Sequence, residues 1–210
     1  PPRVTARVFM DIELCPGQFD RSSTLGNPTL ICGEGAPLGR IVFGLYGDAL
    51  PATVADFVAM CDGTAGVPQL KGTIWQKSTP TYMLAGRQGA PRVGDVEATD
   101  AGWGGWPQGR SARASELLRP ESFRLPHLPG ALSLALDQND DRLFISDRDG
   151  YHATQFLVVT GPAPAVDLDG QNVVFGRVLE GYDTLAAMHS VKVRACSRSL
   201  ARARARRQPR

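Results

Sequence analysis

Apolar positions along this chain alternate in short runs far more often than they recur at helical spacing. Over residues 4–14, Val8, Met10, Ile12 and Leu14 share one face while Arg7, Asp11 and Glu13 fall mostly on the other. That pattern predicts a half-buried strand. A second strand is predicted over 40–45, with Ile41, Phe43 and Leu45 on one face. Further short β runs cover 73–77, 82–86, 131–136, 155–160, 173–178 and 191–196, each bounded by turn residues. Only two segments have helical period. Pro51 suits a first helical turn, and Val54, Phe57, Val58 and Cys61 then fall at i, i+3, i+4 and i+7 before Asp62-Gly63 ends the run. Residues 182–189 form the second. Eight short strands and two helices predict a mainly β fold: a closed eight-stranded antiparallel barrel capped by two α-helices.

Two polar stretches interrupt this pattern. Residues 15–37 are turn-rich and unpatterned, and 137–150 form a polar loop holding aspartates 137, 140, 141, 147 and 149. The folded unit is expected to span 1–196, with these two loops as insertions. No run comes near the roughly 18 consecutive apolar residues of a spanning helix, so no transmembrane segment is expected. The chain begins at Pro1, which points to processing or a cut; on that ground alone an organelle, mitochondrion or plastid, is the expected compartment.

Charge changes the picture at one end. The chain has 210 residues with 23 basic and 21 acidic side chains. Six of the arginines lie in 197–210, which contains no acid; without them, 17 basic face 21 acidic residues, a balance of −4. A uniformly basic nucleic-acid-binding domain is therefore disfavoured, and a basic tail on a mildly acidic body is expected. The tail has no apolar stripe. It reads as a solubilising end or as a docking element for RNA or an acidic protein, because arginine pairs bidentately with phosphate and carboxylate.

Candidate chemistry is sparse. Cysteines 15, 32, 61 and 196 include no CxxC, which disfavours a zinc ribbon or a thioredoxin-type site. Cys15 and Cys32 either pair across the first loop or remain free. The five aspartates lack calcium-loop spacing and its terminal glutamate, so they read as a solvated loop. Histidines 127, 152 and 189 are too dispersed for a metal site and read as structural or surface residues. Gly102-Trp103-Gly104-Gly105-Trp106 lacks the strand–turn–helix context and terminal Lys-Ser/Thr of a phosphate loop. No metal or cofactor is expected.

A series of segments in fixed order carries more information. Val8-Phe9-Met10-Asp11-Ile12 precedes Gly39-Arg40-Ile41-Val42-Phe43-Gly44-Leu45-Tyr46. Pro80-Thr81-Tyr82-Met83 and Gly130-Ala131-Leu132-Ser133 follow, then Thr154-Gln155-Phe156-Leu157 and Leu168-Asp169-Gly170-Gln171-Asn172-Val173-Val174-Phe175-Gly176-Arg177-Val178. Over about residues 4–196 the chain resembles a cyclophilin, the barrel family of peptidyl-prolyl isomerases.

That resemblance implies a pocket for a prolyl ring and an adjacent arginine that donates to the prolyl nitrogen. The donated hydrogen bond localises the nitrogen lone pair and weakens the partial double bond, whose rotation barrier is ~18–20 kcal/mol. Carried over by motif, the arginine's place falls on Lys77, a flexible point charge without the planar fork. The polar grip expected nearby falls on Ala85. The rest of the implied pocket is Tyr82, Met83, Ala135, Leu136, Gln155, Leu157, Leu168 and Asn172. Tyr82, Leu157 and Asn172 replace a phenylalanine, a phenylalanine and a histidine; Leu136 replaces an asparagine. The scaffold is kept and the chemistry eroded at several points. The expected function is a cyclophilin-like protein with a degenerate prolyl-isomerase site. It would serve as an accessory or scaffolding subunit of a larger protein or ribonucleoprotein complex, contacted through the inserted loops and the basic tail. The alternative is an active isomerase assisting folding. In either case the partner is a proline-containing peptide or protein.

Overall fold

The alternation that predicts the first strand produces it. In the computed structural model, β1 (Ala6–Leu14) buries Val8, Met10 and Ile12 and leaves Arg7 outside. The structure describes residues 2–14, 35–64, 70, 75–85, 115–117, 119–136, 155–191 and 205–207. β2 (Ala36–Leu45) pairs antiparallel with β1 along its whole length, with a bulge between Ile12 and Glu13. It begins at Ala36, earlier than the predicted start at 40, because Pro37 and Ala36 pair with Glu13 and Leu14. This pairing partner lies on another strand, and the weak local pattern of 36–39 does not announce it.

β3 (Trp75–Ser78), β4 (Tyr82–Ala85), β5 (Ala131–Leu134), β6 (Phe156–Val159) and β7 (Val173–Glu180) follow, and β8 (Ala205–Arg207) comes last. All join one antiparallel sheet in the order β3-β4-β6-β5-β7-β2-β1-β8. Bulges or register shifts fall between Trp75 and Lys77, Val42 and Phe43, and Leu132 and Ser133. Each adds local twist, and together they curl the sheet. Among the described residues no pairing joins β3 to β8, so they form a curled antiparallel half-barrel in which the predicted closure is not seen. Within the described strands, β3 and β8 each have one hydrogen-bonded neighbour and form the two ends of the order.

Most of the strand predicted over 191–196 is not described. Residues 192–196 lie outside the described residues, and Val191 belongs to no strand. β8 falls inside the segment read as a basic tail, where Ala205, Arg206 and Arg207 pair with Met10, Phe9 and Val8. A strand at a sheet edge is held by backbone pairing and needs no apolar pattern of its own. Also outside the described residues are Cys15 and Cys32, the Gly/Trp segment, the aspartate loop 137–150, His152, and the rest of the basic tail.

α1 (Pro51–Asp62) follows the predicted bounds, with Pro51 in its first turn and Gly63 closing it at φ 71°, a left-handed conformation that glycine adopts without strain. Its stripe is buried: Phe57 meets Phe156 edge-on at 5.3 Å and Phe175 at 4.9 Å, and Trp75 stacks edgewise on Phe156 at 5.6 Å. α2 (Tyr182–Ser190) buries Thr184, Leu185 and Met188. It starts at Gly181, φ 90°, where any Cβ would collide with the Arg40 carbonyl oxygen. Residues 115–117 are helical, and 3₁₀ turns span Pro120–Phe123 and Val166–Leu168.

Candidate active site

Strand alternation divides the apolar side chains into two separate layers. One layer packs with α1 and contains Val8, Phe43, Phe57, Phe156 and Phe175. The other lies on the opposite side of the same strands. It is built from Leu84 of β4, Leu157 and Val159 of β6 and Val174 of β7, joined by Ala135, Ala165 and Leu168, with Tyr82 packed against them. The second layer exists because Val166–Leu168 folds back as a 3₁₀ turn: the Ala165 N–H donates to the His127 carbonyl at 2.9 Å, bringing Leu168 over β6.

The residues implied by the resemblance divide between these layers. Tyr82, Ala135, Leu157 and Leu168 come together in the second layer. Leu157 is 2% exposed and Leu168 9%, whereas Tyr82 is half-buried. Met83, Ala85 and Leu136 belong to the α1-side core. Ala85 is fully buried there. Asn172 bridges the two groups: its Oδ1 accepts the Leu136 N–H at 2.9 Å, and its own N–H donates to the Leu168 carbonyl at 3.0 Å. Gln155 is buried at the start of β6. Lys77 lies on β3 opposite Leu84, placing its backbone beside the second layer.

Beside this apolar layer runs a polar chain that no spacing in the sequence announces. The Asp169 carboxylate accepts the His127 backbone N–H at 2.8 Å and faces His127 Nδ1 at 2.7 Å. His127 Nε2 faces Ser133 Oγ at 2.9 Å. His127 and Ser133 are fully buried, while the Asp169 side chain is 38% exposed. Burial disfavours the imidazolium and lowers the His127 pKa below its usual value, with Asp169 and Asp167 opposing that shift. Asp169 is nudged upward by desolvation, but the hydrogen bonds from His127 outweigh this and hold it below the usual carboxylate range. An ionised Asp169 only accepts, so Nδ1 carries a proton. His127 lies 42 residues from Asp169, beyond any local pattern; of the two, only Asp169 sits in a segment that carries the resemblance.

A buried carboxylate, Glu116, has no local signal in the sequence either. Glu116 Oε1 accepts the Ala52 N–H, and Oε2 accepts the Thr53 N–H and hydroxyl, both at 2.9 Å. The residue before α1, Leu50, has no side chain able to cap it, so Glu116 satisfies the helix N-terminus from a distance.

A strongly curled antiparallel sheet with α1 packed on one side and a second apolar layer on the other is a cyclophilin-type architecture. The family model for cyclophilin type peptidyl-prolyl cis-trans isomerase/CLD matches residues 31–206, and the chain belongs to this family. It is similar to an Arabidopsis thaliana protein named peptidyl-prolyl cis-trans isomerase CYP28, chloroplastic, with 41% identity over 192 residues, covering 90% of this chain and 65% of that one. A second Arabidopsis thaliana relative, peptidyl-prolyl cis-trans isomerase CYP21-1, is 26% identical over 189 residues, 88% of this chain and 66% of the other. The NK-tumor recognition protein of Mus musculus is 28% identical over 79% of this chain and 10% of its own length. The chain thus spans just under two thirds of the length of the first two relatives. Among the described residues, no helix is long and apolar enough to cross a membrane.

Proposed function

We propose that this chain is a cyclophilin that retains a proline-binding surface but is a poor isomerase, and that it works as an accessory or scaffolding subunit of a larger assembly. One observation supports this most. At the position where the family's motif calls for a polar grip stands Ala85, fully buried in the α1-side core and without a polar side-chain atom. The donor position beside it is Lys77. An ammonium on a flexible stem holds no fixed hydrogen-bond geometry, whereas a guanidinium fork does. The packing of Tyr82 against Leu157 and Leu168 in one apolar cluster supports a retained apolar half of the task.

The names of the Arabidopsis thaliana relatives favour the second reading, an active isomerase. A paired measurement separates the two. Affinity for a proline-containing tetrapeptide is measured by NMR line shifts, and turnover of the same peptide by protease coupling. The proposal expects measurable binding with turnover far below that of an ordinary cyclophilin; binding and turnover both at ordinary levels would refute it.

Three finer points belong to the same proposal. The curled sheet closes between its end strands β3 and β8. The compartment is a plastid, on the strength of the chloroplastic relative. The arginines around β8 and the inserted loops serve as docking elements for the assembly.

A further inference from the structure

We propose that His127 is a positioning residue of the prolyl surface, and that its protonation moves the Ser133 hydroxyl between two acceptors and so reshapes the wall between Leu157 and Leu168. The inference rests on the proline-binding reading given above and adds regulation to that site.

The geometry ties the relay to both sides of the wall. Asp169 directly follows Leu168. Ser133 is the cross-strand partner of Leu157 on β6 and of Val174 on β7, next to a register shift between Leu132 and Ser133. Directly opposed residues share a face, so the hydroxyl lies under the same layer as Leu157. His127 spans the gap between them, fully buried.

Proton counting yields two states. With Nδ1–H donated to Asp169 and the imidazole neutral, Nε2 accepts, and the Ser133 O–H points to it. When Nε2 gains a proton it becomes a donor. The Ser133 oxygen must then accept, and its own hydrogen turns to the Leu134 carbonyl, 3.2 Å away. Every polar group has a partner in each state, so neither state leaves a buried orphan. The groups that act on the imidazole are Asp169 and Asp167, both acidic, with the neutral Ser133 on the β5 side. The second acceptor is the carbonyl of Leu134, the last residue of β5, so the switch acts on the main chain that leads into Ala135 and Leu136.

The test is leucine-methyl NMR on the whole chain from about pH 7.5 to about pH 5, across the ordinary imidazole range. The methyls of Leu157 and Leu168 are followed together with the His127 ring proton. Both methyls are expected to move along the same titration curve as the ring. In Ser133→Ala the ring still titrates and Leu168 still follows it, while Leu157 no longer does. The wild-type affinity for a proline tetrapeptide is expected to change several-fold over the same curve, and Ser133→Ala to flatten that change. Static methyls during a ring titration, or a Leu157 curve unaltered by Ser133→Ala, would overturn the inference. So would an imidazole that stays neutral until the chain unfolds. Turnover is not among these readouts, so slow isomerisation does not disturb the test. A chain that binds no proline peptide sinks the functional reading, and the methyl titration still decides the relay.

Discussion

Replacing Glu116 by alanine strips the N-terminus of α1 of its cap. The carboxylate is 3% exposed and accepts three hydrogen bonds, from the backbone N–H groups of Ala52 and Thr53 and from the Thr53 hydroxyl. No other acid stands in the first turn of the helix. Hydrogen bonds to a charged acceptor are each worth ~1.5–3 kcal/mol, and donors left buried without a partner cost the fold further. Removing the carboxylate also relieves its own burial, and contributions sharing one group do not add. A net loss of about 3 kcal/mol follows. For a chain of this size that is a fall in melting temperature of about 6–12 °C. Glu116→Gln keeps one carbonyl acceptor and loses the charge, so its loss should be about half as large. The assay is urea and thermal unfolding followed by circular dichroism, with an unchanged urea slope as the sign that the folded state is otherwise intact. An alanine variant within about 2 °C of wild type would show that α1 needs no cap from Glu116 and would refute the reasoning.

Acidification should destabilise the fold, with both groups of the relay agreeing in sign. The folded pKa of His127 lies below 6.5, so the unfolded chain takes up that proton first as the pH falls, and stability present above the imidazole range is lost on the way down. Asp169 is depressed below 3.8 and loses its share only at still lower pH. Melting temperature against pH should fall in two stages, and His127→Asn should remove the upper one; a profile identical in wild type and variant contradicts this. Truncation after residue 196 removes β8 and its three-residue pairing with β1. At ~1 kcal/mol per backbone hydrogen bond, the truncated chain should lose roughly 1–3 kcal/mol, visible as a lower melting temperature, and an unchanged melting curve would mean the pairing carries no stability. The same truncation should weaken binding to a polyanionic partner most at low salt, where arginine contacts are least screened; equal binding at every salt concentration would contradict a docking role.

What the sequence made legible followed from periodicity. Val8, Met10 and Ile12 announced β1 because one face of that strand is buried, and the stripe through Phe57 announced α1 because it fills the inner side of the sheet. β8 was invisible for the opposite reason: Ala205-Arg206-Arg207 has no apolar face, and its place is set by the unpaired edge of β1. The same alternation explains how the implied pocket divides. Tyr82 and Leu84 point one way and Met83 and Ala85 the other, a period-two argument that motif matching ignores. Glu116 and His127 act on partners 63 and 42 residues away. Nothing local distinguishes such side chains from surface ones until the fold brings the partners together.

The central claim is that the proline surface survives while the catalytic donor is weakened, and turnover of one prolyl tetrapeptide by wild type and Lys77→Arg tests it most directly. A missing donor and a missing grip each cost a factor of about ten or more, roughly 1.4 kcal/mol apiece. Wild type should therefore run about a hundredfold or more below an ordinary cyclophilin. Lys77→Arg is the informative variant, because restoring a glutamine at the fully buried Ala85 would force a polar side chain into the core. Lys77→Arg is expected to raise turnover by about tenfold with little change in peptide affinity. Wild-type turnover at an ordinary cyclophilin's level, with Lys77→Arg making no difference, would contradict it.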